Sequence, residues 1–345
     1  MAQTARDLLA WFAFLIAAIG LGVRHVPVVN HGVLFVAALS PYLTVIAGMA
    51  ATLLLVADRR WWAASVTVAV VAAGVAVQIP RFLPADRTAG VAVRVVTINL
   101  RESQAELQSV IDVARSHADV LIVQELKPEF ARGLSELSSD FPQRVLDTNE
   151  SPGGVGIWSR YRMANSIRIG GYQLGMLGVT VTVPGAAADM VVVGAHVVGP
   201  WPWPIEGWRG ELASLPGTLA DAAQWAGNGA VIVAGDFNST TDMLGFRRLL
   251  KNGYHDAAEQ SGAGLNPTFP ANSAVPPLVG IDHILVRNAS AGEVRTLRIP
   301  GSDHLGLAAT PCSGPWRTRR AAPCSTHSSC RTASRCCRCA TPSPR

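Results

Sequence analysis

Apolar residues are arranged along this chain in two different ways. Over the first eighty positions they form three nearly unbroken runs, Leu8 to Val23, Gly32 to Ala57 and Trp61 to Ile79. A helix needs about 20 apolar residues to cross a hydrocarbon layer of about 30 Å. The second and third runs have that length, and the first reaches it by continuing past Arg24 and His25. One apolar run near the start of a chain also reads as the core of a signal peptide. Two further runs directly behind it favour an anchor of three transmembrane helices over residues 1–80.

From Val91 onward the runs are shorter. Strands are predicted at Val91 to Ile98, Val120 to Val123, Val155 to Ser159, Gly178 to Val183, Met190 to Ala195, Ala230 to Ala234, Ile281 to Val286 and Leu305 to Ala309. Helices are predicted at Gln104 to Ser116, Glu129 to Leu137 and Glu206 to Trp225. Strands interspersed with helices imply an α/β domain over residues 91–310 with two covered sheets, joined to the anchor by a linker at 81–90. At Pro311 the pattern stops. Residues 311–345 are rich in Ser, Thr, Pro, Arg and Cys, and Trp316 is their only large apolar side chain. Such a segment builds no core and reads as a disordered tail, as a frame-shifted stretch of a GC-rich gene would; a cationic tail on anionic lipid is the functional alternative.

Composition changes the picture in three respects. Hydrophobic residues make up 49% of the chain and charged ones only 15%, which places part of it in a membrane. The net charge of +5 comes from the tail: seven of the 29 basic residues lie in 311–345, leaving 22 against 24 acidic residues elsewhere. The folded body is therefore slightly acidic, so the high net charge does not support a polyanion-binding surface there, which weakens the nucleic-acid reading without excluding it. All six cysteines lie between Cys312 and Cys339, so the α/β domain has no disulfide framework, and the crowding of Cys336, Cys337 and Cys339 suits zinc poorly.

Short loops set an orientation. Arg59 and Arg60 separate the second and third runs and Arg6 precedes the first, so both segments are cytoplasmic under the positive-inside bias. The α/β domain is then extracytoplasmic on a multi-pass cell-membrane anchor. Arg24, Arg81 and Arg87 argue the other way; Trp61 and Trp62 suit the cytoplasmic headgroup level.

Candidate chemistry sits at the ends of the strands. Asn99 follows Val-Val-Thr-Ile, Glu125 follows Leu-Ile-Val-Gln, His196 follows Val-Val-Val-Gly-Ala, and Asp236 and Asn238 follow Val-Ile-Val-Ala-Gly. Asp282 and His283 open a strand, and Asp303 and His304 precede the last. Strand ends hold side chains rigidly around a common cleft, and acids, amides and histidines without Cys suit a hard cation such as Mg²⁺. Each has a plainer reading: a lone His as a structural donor, Gly-Asp-Phe-Asn as a turn, Asp282 as a strand cap.

Six pieces in order, Thr97-Ile98-Asn99, Gln124-Glu125, Gly194-Ala195-His196, Gly235-Asp236-Phe237-Asn238, Ile281-Asp282-His283-Ile284 and Ser302-Asp303-His304, make residues 93–309 resemble the endonuclease/exonuclease/phosphatase superfamily. The resemblance implies a four-layer α/β sandwich, two packed mixed sheets flanked by helices, that hydrolyses phosphoesters with water. On this reading Glu125 binds the metal, Mg²⁺ or alternatively Mn²⁺, with Asn99 and Asp303 beside it. His304 acts as general base or electrostatic partner, oriented by Asp282; His196 donates to a phosphate oxygen; Asp236 and Asn238 orient the attacking water.

Arg101 stands where some DNA-repair relatives carry an acid or amide, which argues against that subgroup. The stretch Pro200-Trp201-Pro202-Trp203-Pro204, followed by Trp208 and Arg209, reads as a stacking platform for bases, as a lip in lipid headgroups, or as a rigid entry into the next helix. Arg209 is the candidate for an extra phosphate contact. The substrate classes are nucleic acid, favoured by the family's commonest chemistry, and phospholipid or sphingomyelin, favoured by the anchor and the Trp-rich loop. A non-catalytic surface scaffold is the alternative from another class, and no protein partner is predicted. A transporter is disfavoured, because the apolar runs contain almost no ionisable residue.

Overall fold

The computed structural model describes residues 2–85 and 90–313. Arg87 of the expected linker and the tail from position 314, with Trp316 and five of the six cysteines, lie outside the described residues.

The N-terminal region is a helical bundle: α1 (Ala2–Gly22), α2 (His31–Ala38), α3 (Ser40–Tyr42), a π-helical stretch Leu43–Ala47 running into α4 (Gly48–Ala57), and α5 (Trp61–Ala76). Two helices, Gln3–His25 and Ser40–Ala57, are long and apolar enough to cross a membrane, and Trp61–Ala76 is shorter. The expectation of three transmembrane helices is corrected accordingly. The run from Gly32 to Ala57 is not one helix: Leu39 leaves helical geometry (φ −97°, ψ 7°) just before Pro41, whose ring and missing N–H suit a helix start and break a helix interior. The detached piece, α2, is capped by Asn30, whose side chain accepts from Val33 N at 2.9 Å. It packs Leu34 and Ala37 into the core of the following domain.

Small residues line the contacts within the bundle. A Cβ on Gly48 would collide with Val71, and one on Gly20 or Gly74 with Thr44, while Ala10, Ala17 and Ala51 are fully buried. Large apolar side chains such as Leu8, Phe12, Ile46 and Leu53 face outward. At one end Arg6 pairs with Asp58 at 2.8 Å and Arg60 with Asp7 at 2.6 Å.

The α/β domain follows in the order β1 (Val91–Ala92), β2 (Val95–Asn99), α6 (Leu107–His117), β3 (Val120–Gln124), α7 (Pro128–Gly133), β4 (Gln143–Asp147), β5 (Val155–Ser159), β6 (Arg162–Arg168), β7 (Met176–Thr182), β8 (Met190–His196), α8 (Ile205–Ala226), β9 (Val231–Asp236), α9 (Leu244–Arg247), β10 (His255–Asp256), α10 (Ala257–Ser261), β11 (Asp282–Arg287), β12 (Ala289–Leu297) and β13 (Gly306–Ser313). One sheet has the order β1-β13-β2-β3-β5-β4 with β12 beside β13; the other has the order β10-β11-β9-β8-β7-β6. Both are mixed: β2 runs parallel to β3, β8 runs parallel to β9, and the other pairs are antiparallel.

Side-chain alternation sorts the core into layers. Val120 and Ile122 of β3 point into the space between the sheets, where they meet Val192 of β8 and Ile232 of β9. Leu121 and Val123 point the other way, under Val110 and Ile111 of α6. Val193 and Val233 point outward from the second sheet, under Trp208, Leu212 and Leu215 of α8. Central strands covered on both faces read as unbroken apolar runs, which is why they were predictable.

Strands β4 and β6 were not predicted, because as edge strands with half-exposed or exposed residues they carry little apolar signal. Nor was β12, whose small residues and irregular register between Ala291 and Val294 hide its period. Strand β13 continues through Pro311 and Cys312 to Ser313, where it pairs with β1, so the fold extends past the composition break.

Bundle and domain share an interface. Val23, Val28, Leu34 and Ala37 belong to the same buried cluster as Trp208, Phe246 and Leu249. Buried Asp242 accepts from Arg81 at 2.9 Å and Gln78 at 3.0 Å and pairs with Arg24. Within the expected linker, Arg81 is thus fixed in place, and Ala85 N donates to Gln260 O at 2.8 Å.

Candidate active site

Two parallel strand pairs, one in each sheet, end at the same place. Asn99 ends β2, Glu125 follows β3, and the register pairs Asn99 with Gln124. In the other sheet His196 ends β8 opposite Asp236 at the end of β9, and Asp282 opens β11 opposite Asp236. The seam between the sheets thus gathers groups that are far apart in the chain.

Asn99 bridges the sheets. Its Nδ2 donates to Glu125 Oε1 and to Asp236 Oδ2, each at 3.1 Å, and its Oδ1 accepts from Arg101 N at 2.9 Å. Glu125 Oε2 accepts from Glu102 N at 2.6 Å, and Ser103 Oγ donates to Glu125 O at 3.1 Å. Arg101, Glu102, Ser103 and Glu125 all adopt positive φ, between 50° and 63°. Non-glycine residues there are strained, and here the strained loop aims the Glu102 amide at the Glu125 carboxylate.

His304 Nδ1 hydrogen-bonds Asp282 Oδ2 at 2.8 Å, and its Nε2 lies 3.8 Å from Asp236 Oδ2. Ser302 Oγ donates to Asn99 O at 2.7 Å and accepts from His304 N at 3.0 Å, which ties the segment before β13 to the end of β2. His196 Nε2 stands 3.8 Å from Glu125 Oε1 and 3.9 Å from Asp236 Oδ2. Asn238 N donates to Asp236 Oδ1 at 2.8 Å, its Nδ2 donates to Val197 O at 2.9 Å, and its carbonyl accepts from Trp208 Nε1 at 3.0 Å.

Burial dominates the electrostatics. It pushes the Asp236 carboxyl up to about 7, against the attraction of His304, and it raises Glu125, against the hydrogen bond from Asn99. It lowers His196 to about 4, helped by repulsion from His304. For His304, burial is outweighed by Asp282 and Asp236, which hold the imidazole at about 10. Asp282 and Asp236 thus favour the charged form of His304, whereas burial favours the neutral ring of His196.

Raised carboxyls packed in one buried spot are short of positive charge, so a cation fits here. The donors are oxygens with imidazole nitrogen and no sulfur, the set of a hard divalent ion. Ligand atoms of Asp236, Asp282 and His304 lie within 4.8 Å of one another. The first of these joins Glu125 at the Asn99 amide, whereas Asp282 and His304 are already hydrogen-bonded to each other.

The structure brings Asn99, Glu125, His196, Asp236, Asn238, Asp282 and His304 together. Asp303 is half-buried beside them, and its charge helps raise Glu125. Arg209 is exposed on α8, one position from buried Trp208, and makes no hydrogen bond or ion pair with this cluster among the described residues. Sequence reasoning missed the Glu102 amide, which has no side-chain signature. It also missed Phe269, whose ring centroid lies 5.1 Å from that of His304. Ser302 was visible only as the first residue of Ser302-Asp303-His304.

Residues 96–304 match the model of the Endonuclease/Exonuclease/phosphatase family. No protein of curated function matches the chain. Among solved structures the fold is similar to D. rerio TDP2 complexed with single-strand DNA product, at 18% identity and TM-score 0.54, covering 64% of this chain and 99% of that one. It is also similar to the 3′ phosphatase NExo from Neisseria bound to a product DNA hairpin (20%, TM-score 0.51, 63% and 98%). A third likeness is the endonuclease/exonuclease/phosphatase from Beutenbergia cavernae (19%, TM-score 0.51, 65% and 72%).

Proposed function

The chain belongs to the endonuclease/exonuclease/phosphatase family of phosphoric ester hydrolases, and from that premise we propose that it cleaves a phosphodiester or phosphomonoester by water attack at a Mg²⁺- or Mn²⁺-loaded site. The observation that carries this reading is the Asn99 amide joining Glu125 of one sheet to Asp236 of the other, with His196 and the His304–Asp282 pair around them.

Glu125 would hold the ion, with Asn99 and Asp303 beside it. When bound, the ion supplies positive charge to the phosphate oxygens and to the departing oxyanion. The remaining steps belong to the chain's own side chains. Asp236 is placed to accept a proton from the attacking water, since burial raises its carboxyl above the usual carboxylate range and Asn238 N holds one of its oxygens at 2.8 Å. Neutral His196 offers an Nε2 donor to a phosphate oxygen as charge develops. His304, kept cationic by Asp282, stabilises negative charge at the phosphate and fits an electrostatic role better than that of base.

The N-terminal bundle supports a membrane location, with small residues inside and large apolar ones outside. Arg6, Arg59 and Arg60 lie at the end away from the α/β domain, so the positive-inside bias favours an extracytoplasmic catalytic domain. Nucleic acid enters as a substrate class through the two neighbours described with DNA.

The test uses the full chain in detergent with a soluble diester, bis-p-nitrophenyl phosphate, and a soluble monoester, p-nitrophenyl phosphate. Turnover that requires Mg²⁺ or Mn²⁺ and stops on addition of EDTA is the expected result. No turnover from folded, metal-supplemented protein would remove the proposal.

A further inference from the structure

Two apolar loops rim the site, and each is fastened to the N-terminal bundle. The first, residues 197–204, leaves His196 at the end of β8 and passes Asn238, whose Nδ2 holds Val197 O at 2.9 Å. Its tip carries Trp201 and Trp203, 61% and 63% exposed. The imidazole of His31, at the start of α2, donates from Nε2 to Pro200 O at 2.9 Å, and the Trp201 ring lies edge-on to His31 and Phe35, with centroids 5.3 and 6.0 Å away.

The second loop, residues 270–279, follows Phe269, which packs on the His304 ring. Ala271 N donates to Asp303 O at 2.7 Å, beside the expected metal ligand. At its far end Tyr42 Oη, in the first turn of the Ser40–Ala57 candidate span, donates to Leu278 O at 2.8 Å. Val275 and Leu278 are exposed.

Both rims therefore stand at the level where the bundle meets the domain, and neither loop contains a Lys or Arg. Tryptophan beside a hydrophobic span partitions into the headgroup layer, and a rim without cations gives no track for a nucleic-acid backbone. From this juxtaposition we infer that the loops at 197–204 and 270–279 seat in the lipid headgroup layer, and that the site takes the phosphodiester headgroup of a membrane-resident lipid. The inference rests on the hydrolase proposed above and names its substrate class. The reaction is a plain hydrolysis: the oxygen of water bonds to phosphorus, one P–O ester bond breaks, and the leaving oxygen takes the proton that water gives up. The products are a phosphomonoester and an alcohol.

The experiment reconstitutes the full chain with Mg²⁺ in vesicles of equimolar phosphatidylethanolamine and phosphatidylglycerol. It follows cleavage of vesicle lipid, of a single-stranded DNA oligonucleotide and of soluble bis-p-nitrophenyl phosphate. Lipid is expected to be cleaved faster than DNA. A Trp201→Ser/Trp203→Ser double variant is expected to lower the ratio of lipid to soluble-diester turnover about tenfold. In vesicles with brominated acyl chains, fluorescence quenching is expected to be greater for the parent than for that variant, a readout independent of activity. Cleavage of the soluble diester with vesicle lipid untouched, faster cleavage of DNA than of lipid, or equal quenching in parent and variant would overturn the inference and leave the hydrolase standing. No metal-dependent cleavage of any of the three would overturn the inference, and the same silence on p-nitrophenyl phosphate would overturn both.

Discussion

The same kinds of side chain lie on the outside of the N-terminal bundle and on the inside of the sandwich. Leu53 on α4 is 69% exposed, whereas Ile122 on β3 is fully buried between the sheets. The bundle turns its glycines and alanines inward and lets helix backbones approach; the sandwich fills its interior with Val, Ile and Leu. In water the first arrangement gains little from burial, because its apolar area stays exposed. In hydrocarbon it needs no burial at all, since lipid tails are as apolar as leucine and close packing of small residues holds the helices together. With the membrane location proposed above, the two regions suit two solvents, and Asp242, with Arg24 and Arg81, joins them at the boundary.

The strongest way to separate the regions is through the chemistry, which lies wholly in the sandwich. Glu125→Gln and His304→Ala are each expected to lower turnover of bis-p-nitrophenyl phosphate by on the order of 10³-fold. Circular dichroism of both variants should remain close to that of the parent, with an earlier unfolding midpoint of the sandwich only for His304→Ala, which leaves buried Asp282 without its partner; activity retained in both variants would break the assignment.

Next in size is the joint. Asp242→Ala leaves Arg24 and Arg81 buried without their carboxylate, a change worth about 3–5 kcal/mol. Denaturant unfolding in detergent should show that loss, with faster proteolysis of the segment between α5 and β1. An unchanged midpoint would mean that the two regions are not coupled through this residue.

A matched pair of truncations tests the contrast itself. Ile122→Ala should cost about 2–5 kcal/mol by leaving a cavity between the sheets. Leu53→Ala should stay within about 0.5 kcal/mol in detergent, as an outward-facing position does. Equal costs would erase the distinction drawn between bundle and sandwich.

The last effect concerns acid. Burial acts to raise Asp256, but the 2.7 Å hydrogen bond with His283 and the amides of Ala258 and Glu259 hold its carboxyl below the usual value. A depressed carboxyl stabilises the fold above its unfolded value, about 3.9, and that contribution is lost as pH falls toward the folded value. Asp256→Asn is therefore expected to cost about 1.5–3 kcal/mol at pH 7 and progressively less below about pH 4. A gap that stays constant across that range would show that the ionised Asp256 carboxylate is not the cause.

Much of this was legible in the residues. Central strands buried on both faces announced themselves as apolar runs, and Asn99, Glu125, His196 and Asp236 stood out as polar groups at their ends. The edge strands β4 and β6 did not, because half-exposed strands lack the apolar signal. The break at Leu39 was marked by Pro41, but a mean over the run from Gly32 to Ala57 conceals a single proline.

By itself, the sequence determined what depends on neighbours in the chain: the type of each central element, the apolar character of the first eighty residues, and the order of the chemical groups. Only the tertiary structure decided which groups meet. Asn99 and Asp236 are 137 positions apart, and their hydrogen bond exists because two separately wound sheets stack with the ends of their parallel strands on one side. The fastening of the 197–204 and 270–279 loops to α2 and Tyr42 is equally non-local, and no local pattern encodes it, since each contact is set by how two independently packed regions dock.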